Sequence, residues 1–180
     1  FAGPSMALKV PEYRTTFFMI ALHFSRDMQG GMIVVGPDAN RFADEKRKTS
    51  HGKVYESGRW ASMSTPCPMH MIVDHTLFSS GPLYDKEPRS GWNTMVDRYD
   101  WSDDNRAELS KGWIKSSETI AELAPAIGLD APTLEATVRR WNEHCEREED
   151  TDFGRTQMLV PIAEPPFYAL ELSPSMLNTQ

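Results

Sequence analysis

"GGMIVVGPDANRFADEKRKTSHGK", residues 30–53, sets a short apolar run against the most polar-dense stretch of the chain. Residues 32–35 are β-branched or long apolar. Glycines precede them and Gly36-Pro37-Asp38-Ala39-Asn40 follows, so the run reads as a strand entering a turn. Beyond the turn, Arg41, Lys46, Arg47, Lys48, His51 and Lys53 stand among Asp44 and Glu45. Three readings fit: a solvated mixed-charge loop, a basic patch at 41–53 for an anionic partner, or an acid/base site. In the third, Glu45 works with Arg47 or His51, because a cation holds a carboxylate ionised while the carboxylate orients the cation. Spacing alone leaves all three open.

The rest of the chain narrows the class. Its 180 residues suffice for one domain with its own core. Hydrophobic content of 39% and charged content of 25% are ordinary for a globular protein. A net charge of −7 argues against nucleic acid and anionic membranes as partners. No apolar run approaches the roughly 18–20 residues of a transmembrane helix. The opening "FAGPSMALKVPEYR" lacks the basic-then-apolar order of a signal peptide. Two cysteines, Cys67 and Cys145, fit the reduced thiols of a cytoplasmic protein better than a disulfide-stapled scaffold.

Residues 13–24 read as a buried strand or a short helix, strands are expected over 69–78 and 167–172, and a loop is expected over 79–92. The third quarter reads as helical. A first helix is expected over 102–112, capped by Ser102 and stopped by Gly112. Ile120, Leu123, Ala124 and Ile127 form one apolar helical face, ended by Gly128. Asp130 is the expected cap of a long helix, with Pro132 in its first turn and Leu134, Val138, Trp141 and Cys145 along one stripe. Residues 148–155 form an acidic turn. Strands flanking a helical section predict an α+β domain with a small mixed or antiparallel sheet.

Several chemistries find no support. Cys67, His70 and His75 do not complete a tetrahedral metal set, so no metal ligands are assigned. G-x-S-x-G, G-x-G-x-x-G and the Walker P-loop are all missing. The chain therefore carries no recognisable nucleotide-phosphate cradle of its own.

Three blocks resemble flavoproteins related to fumarate reductase and 3-ketosteroid Δ1-dehydrogenase. The first is the apolar strand and turn ending in Arg41-Phe42-x-Asp44-Glu45. The second is Thr137-Val138, Trp141-Asn142 and the turn Asp150-x-Asp152-Phe153-Gly154-Arg155. The third is Pro165-Pro166-Phe167-Tyr168-Ala169 and the ending Asn178-Thr179-Gln180. The resemblance implies that residues 1–180 are a single cap domain from within a longer FAD-dependent oxidoreductase. The FAD-binding domain of the same polypeptide would be its partner and would hold most of the cofactor. The reaction implied is addition or removal of hydrogen across a carbon–carbon bond of a small molecule, next to an electron-withdrawing group. Glu45, Arg47 and His51 would relay the proton, Tyr168 would polarise a substrate carbonyl, and Asn178 and Thr179 would line the flavin junction. The isolated segment is expected to be inactive. Two departures argue against fumarate as substrate: Leu177 stands where fumarate reductases place a carboxylate-binding His, and no Arg follows Glu45 at the usual spacing.

Overall fold

In the computed structural model, residues 4–10, 12, 16–17, 29–47, 49–50, 53–62, 65–84 and 99–176 are described. The larger sheet is organised by its longest strand, β9 (Phe167–Met176). Along one edge β9 pairs with β7 (Met69–Val73), Ala169 opposite Ile72 and Leu172 opposite Met69. Its other edge is shared end to end. β8 (Ile114–Ser117) covers the first half, with Ile114 opposite Leu170, and β1 (Pro4–Lys9) covers the second, with Leu8 opposite Leu172. β2 (Thr16–Phe17) extends the sheet from β1, and β3 (Met32–Val35) extends it from β7. Every pairing among the described residues is antiparallel. The expected α+β class with a mostly antiparallel sheet is what the chain forms.

The apolar run at 32–35 is continuous because both faces of the sheet are covered. Met32 and Val34 join one core with Met71, Val73, Tyr168 and Leu170; Ile33 and Val35 join a second with Ile72 and Ala169. The first core is closed by Leu77 and Phe78 of helix α1 (His75–Ser79), by Trp101 and Trp113, and by Leu109 of α2 (Arg106–Ser110). The second is closed by α3 (Ile120–Ala126) and α4 (Ala131–Glu146), whose stripe of Leu134, Val138 and Trp141 is buried as expected. Asp130 caps α4 by accepting from the Thr133 N–H.

Three local readings change. The 69–78 run is a strand only to Val73: Asp74 accepts from the Leu77 and Gly31 N–H groups, and that cap turns the chain into α1. α2 starts at Arg106 after Asn105, not after Ser102, whose N–H and hydroxyl both donate to the buried Glu108 carboxylate. The section read as helical also contains β8, and β4 (Thr49–Ser50), β5 (Lys53–Glu56) and β6 (Arg59–Ser62) form a second sheet. Ser57 and Gly58 join β5 to β6, both with positive φ, as a two-residue hairpin turn of type I′ requires. Of the stretch 13–24, read as a strand or a short helix, only β2 falls among the described residues.

The glycines before β3 are required by close packing. A Cβ on Gly31 would sit 2.3 Å from the Pro161 carbonyl oxygen, and one on Gly30 would sit 2.2 Å from the Leu77 nitrogen. The start of β3 is thus wedged between α1 and the segment that leads to β9.

Candidate functional site

Two of the three sequence blocks meet in a buried ion cluster. Arg41 leaves the turn after β3 and lies over the Trp141 ring, 4.5 Å from its centroid. Its Nε and Nη2 donate to the two Glu45 carboxylate oxygens at 2.8 and 2.9 Å. Its Nη1 and Nη2 donate to the two Asp150 oxygens at 3.2 and 3.0 Å. Arg155 completes the set. Nη1 donates to Glu45 Oε2 and to the Met32 carbonyl, Nε to the Gln157 carbonyl, and Nη2 to the Met158 carbonyl. Arg155 also lies over Trp141, at 4.6 Å. Two guanidinium groups and two carboxylates therefore balance in charge, each with the further hydrogen bonds a buried ion needs. Burial alone would lower the Arg41 pKa, but Glu45 and Asp150 raise it instead. Burial pushes the Asp150 carboxyl up; Arg41 and the backbone N–H groups of Arg155 and Asp152 outweigh it and hold the group below the usual carboxylate range.

Glu45 also accepts from the Val34 N–H. Its two oxygens thus take four hydrogen bonds, about the full acceptor capacity of a carboxylate. Handling a proton at Glu45 would first require one of these bonds to open.

A more open layer covers the cluster. Arg140 donates through Nε and Nη2 to the two Asp152 oxygens, and His144 Nε2 lies 3.0 Å from Asp152 Oδ2. The bond from Arg140 holds the Asp152 carboxyl down at about 2. A shallow pocket of about 410 Å³ opens here between Asn40, Thr137, Arg140, Trp141 and Phe153. His144, Asp150 and Asp152 bring their ligand atoms within 4.8 Å of one another, the one such group among the described residues. Both carboxylates already face guanidinium groups, which compete with any cation. Cys67, His70 and His75 do not gather: Cys67 is exposed in the turn before β7, His70 is buried on β7, and His75 opens α1. Both cysteines are free thiols.

Tyr168 stands elsewhere, on β9 in the first core. Its ring stacks on Phe78 with centroids 3.7 Å apart, and its hydroxyl lies 3.1 Å from Nδ1 of the exposed His75. Burial pushes the phenol pKa up, and the Glu118 charge adds to it, so the hydroxyl keeps its proton. A buried phenol with a solvent-facing imidazole partner can donate a hydrogen bond and be re-protonated from outside. His75 enters the sequence reading only in a metal set that is rejected. No local spacing signals its pairing with Tyr168, 93 residues away.

The structure does not bring all the expected site residues together. Glu45 sits in the ion cluster and Tyr168 in the first core. Arg47 is half-buried just beyond Glu45. His51, Asn178 and Thr179 lie outside the described residues. Of the basic residues in the 41–53 patch, Arg41 turns inward and Lys46 is half-buried, its pKa lowered by burial and by the Arg155 charge, while Lys48 and His51 lie outside the described residues. Among the described residues the larger sheet is antiparallel throughout, unlike the parallel sheet of a doubly wound dinucleotide-binding fold. No helix among them is long and apolar enough to cross a membrane.

Comparison with known proteins brings the three sequence blocks under one description. A family model described as an FAD binding domain matches residues 16–180. The NADH:fumarate oxidoreductase of Klebsiella pneumoniae is 30% identical over 151 residues, covering 83% of this chain and 14% of that protein. The urocanate reductase of Eggerthella lenta is 36% identical over 104 residues, covering 52% of this chain and 17% of that protein. The 3-ketosteroid Δ1-dehydrogenase of Sterolibacterium denitrificans, solved with 1,4-androstadiene-3,17-dione, superposes with a TM-score of 0.65 at 20% identity. The match covers 99% of this chain and 32% of that one, and at this identity it speaks to the fold alone. The chain thus spans less than a third of each protein it matches here.

Proposed function

The chain belongs to the FAD binding domain family, and on that premise we propose that it forms the substrate-side cap of an FAD-dependent oxidoreductase. The reaction is dehydrogenation or reduction of a carbon–carbon bond next to an electron-withdrawing group. The observation that carries this reading is the buried Tyr168 hydroxyl, held 3.1 Å from His75 Nδ1. A fixed phenol donor suits polarisation of a substrate carbonyl. FAD is held mainly by residues beyond those described here, with Asn178 and Thr179 lining the junction.

Glu45 enters this reading as a positioning residue. Its four hydrogen bonds fix the turn from which Arg47 and the following segment leave. Arg47 and His51 relay the proton. The sequences of the relatives support the reaction class, and the inactivity of the isolated segment is part of the proposal.

The test is Tyr168→Phe in the complete polypeptide. A loss of about 10²-fold in kcat, with the flavin retained, is expected from removing one acid group. An unchanged rate would overturn the role of Tyr168. Separately, the 180-residue chain passed with FAD over a sizing column should emerge without flavin; stoichiometric retention would overturn the cap assignment.

A further inference from the structure

A second cleft, of about 310 Å³, lies at a break in the sheet. β1 and β8 share one edge of β9, and their pairings stop at Leu172 and Leu170 respectively, so Glu171 falls in the gap between them. The cleft opens at this gap, where the two cores meet. Leu8 and Trp113 of the first core form one wall, and Ala169 of the second, with Ile127 packed beside it, forms another. His70, opposite Glu171 on β7, completes it.

His70 marks this cleft as more than a packing defect. The residue is 4% exposed, and its Nδ1 is buried without a hydrogen-bond partner. A buried polar atom left unpaired destabilises the fold, and here it belongs to a ring that forms part of a cleft wall. We propose that this cleft binds a small uncharged molecule that combines an apolar ring with a hydroxyl, and that the hydroxyl pairs with His70 Nδ1.

Three features select that chemistry. The walls named above are mostly apolar, which calls for a ring. Exposed Lys115 and Glu171 stand at the cleft with opposite charges, so the site has no net charge with which to select an ion. Burial lowers the His70 pKa and keeps the imidazole neutral near pH 7. Nδ1 of a neutral imidazole is a donor in one tautomer and an acceptor in the other, and a hydroxyl can answer either. The site is distinct from Tyr168, whose side chain stacks on Phe78 in the first core.

The experiment titrates the 180-residue chain, with ¹⁵N-labelled histidine, with 2-naphthol and with naphthalene. 2-Naphthol should shift the His70 Nδ1 resonance and bind at least about tenfold tighter than naphthalene. Ala126→Trp, placed at the exposed rim, should weaken 2-naphthol at least about tenfold without touching the core. His70→Phe should abolish the preference for the hydroxyl. Equal binding of the two compounds, no Nδ1 shift up to the solubility limit of 2-naphthol, or indifference to Ala126→Trp would each overturn the proposal. If His70→Phe does not fold, the comparison of the two compounds on the native chain and the Ala126→Trp result decide.

Discussion

Arg41 and Asp150, 109 residues apart in sequence, are joined by two hydrogen bonds of 3.2 and 3.0 Å, and both side chains are almost wholly buried. The contact locks the turn after β3 to the turn after α4. Asp150 is also the organiser of its own turn, accepting from the N–H groups of Asp152, Phe153 and Arg155. The two sequence blocks that carry the family resemblance are in this respect one structural joint.

Breaking that joint from one side should be costly. Arg41→Ala leaves Glu45 and Asp150 facing each other's charge with Arg155 as the remaining guanidinium partner of the cluster. A loss of about 3–5 kcal/mol is expected, as for other one-sided cuts of a buried pair. Urea unfolding followed by tryptophan fluorescence measures it; a loss below about 1 kcal/mol would mean that the cluster adds little to the fold.

Acid should weaken the protein through the same turn. The Asp152 carboxyl is depressed from 3.8 to about 2 by its bond from Arg140, with His144 adding to it. A depressed folded-state pKa contributes stability that is complete above the unfolded value and lost as pH falls through the folded value. The urea midpoint should therefore drop between about pH 4 and about pH 2, and Asp152→Asn should flatten that part of the curve. Identical acid limbs for the two proteins would contradict the assignment.

The two thiols should react differently. Cys67 is exposed, whereas burial pushes the Cys145 thiol up to about 11. Alkylation needs the thiolate. Iodoacetamide at about pH 7.5 should modify Cys67 alone in the folded chain, and Cys145 only after denaturation. Intact-mass and peptide spectra read the outcome, and comparable labelling of both cysteines under native conditions would refute it.

Much of the fold is legible in the residues. The 3.6-residue stripe of Leu134, Val138 and Trp141 announces α4, and Asp130 announces its start, because both depend on neighbours within one or two turns. The strands at 32–35 and from Phe167 follow from short apolar or alternating runs between turn signals. β8 escapes because "IKSS" is buried only at its first residue and owes its strand form to pairing with β9. Ser102 misleads because its capping groups are claimed by Glu108.

The candidate sites divide in the same way. Residue types and their order are enough to place the chain among the FAD binding domain family and to single out Glu45 and Tyr168. Sequence alone could not tell that Glu45 has its acceptor positions filled by Arg41, Arg155 and Val34, that Tyr168 leans on His75, or that His70 is buried beside a break in the sheet. The Arg155 bond to Glu45, the Tyr168–His75 contact and the position of His70 depend on which strands pair and which turns meet across roughly 90–110 residues, separations at which a local sequence pattern carries no distance information. Composition and short-range order determined the class of this protein; long-range pairing decided which of its polar groups are spent on the fold and which remain available for chemistry.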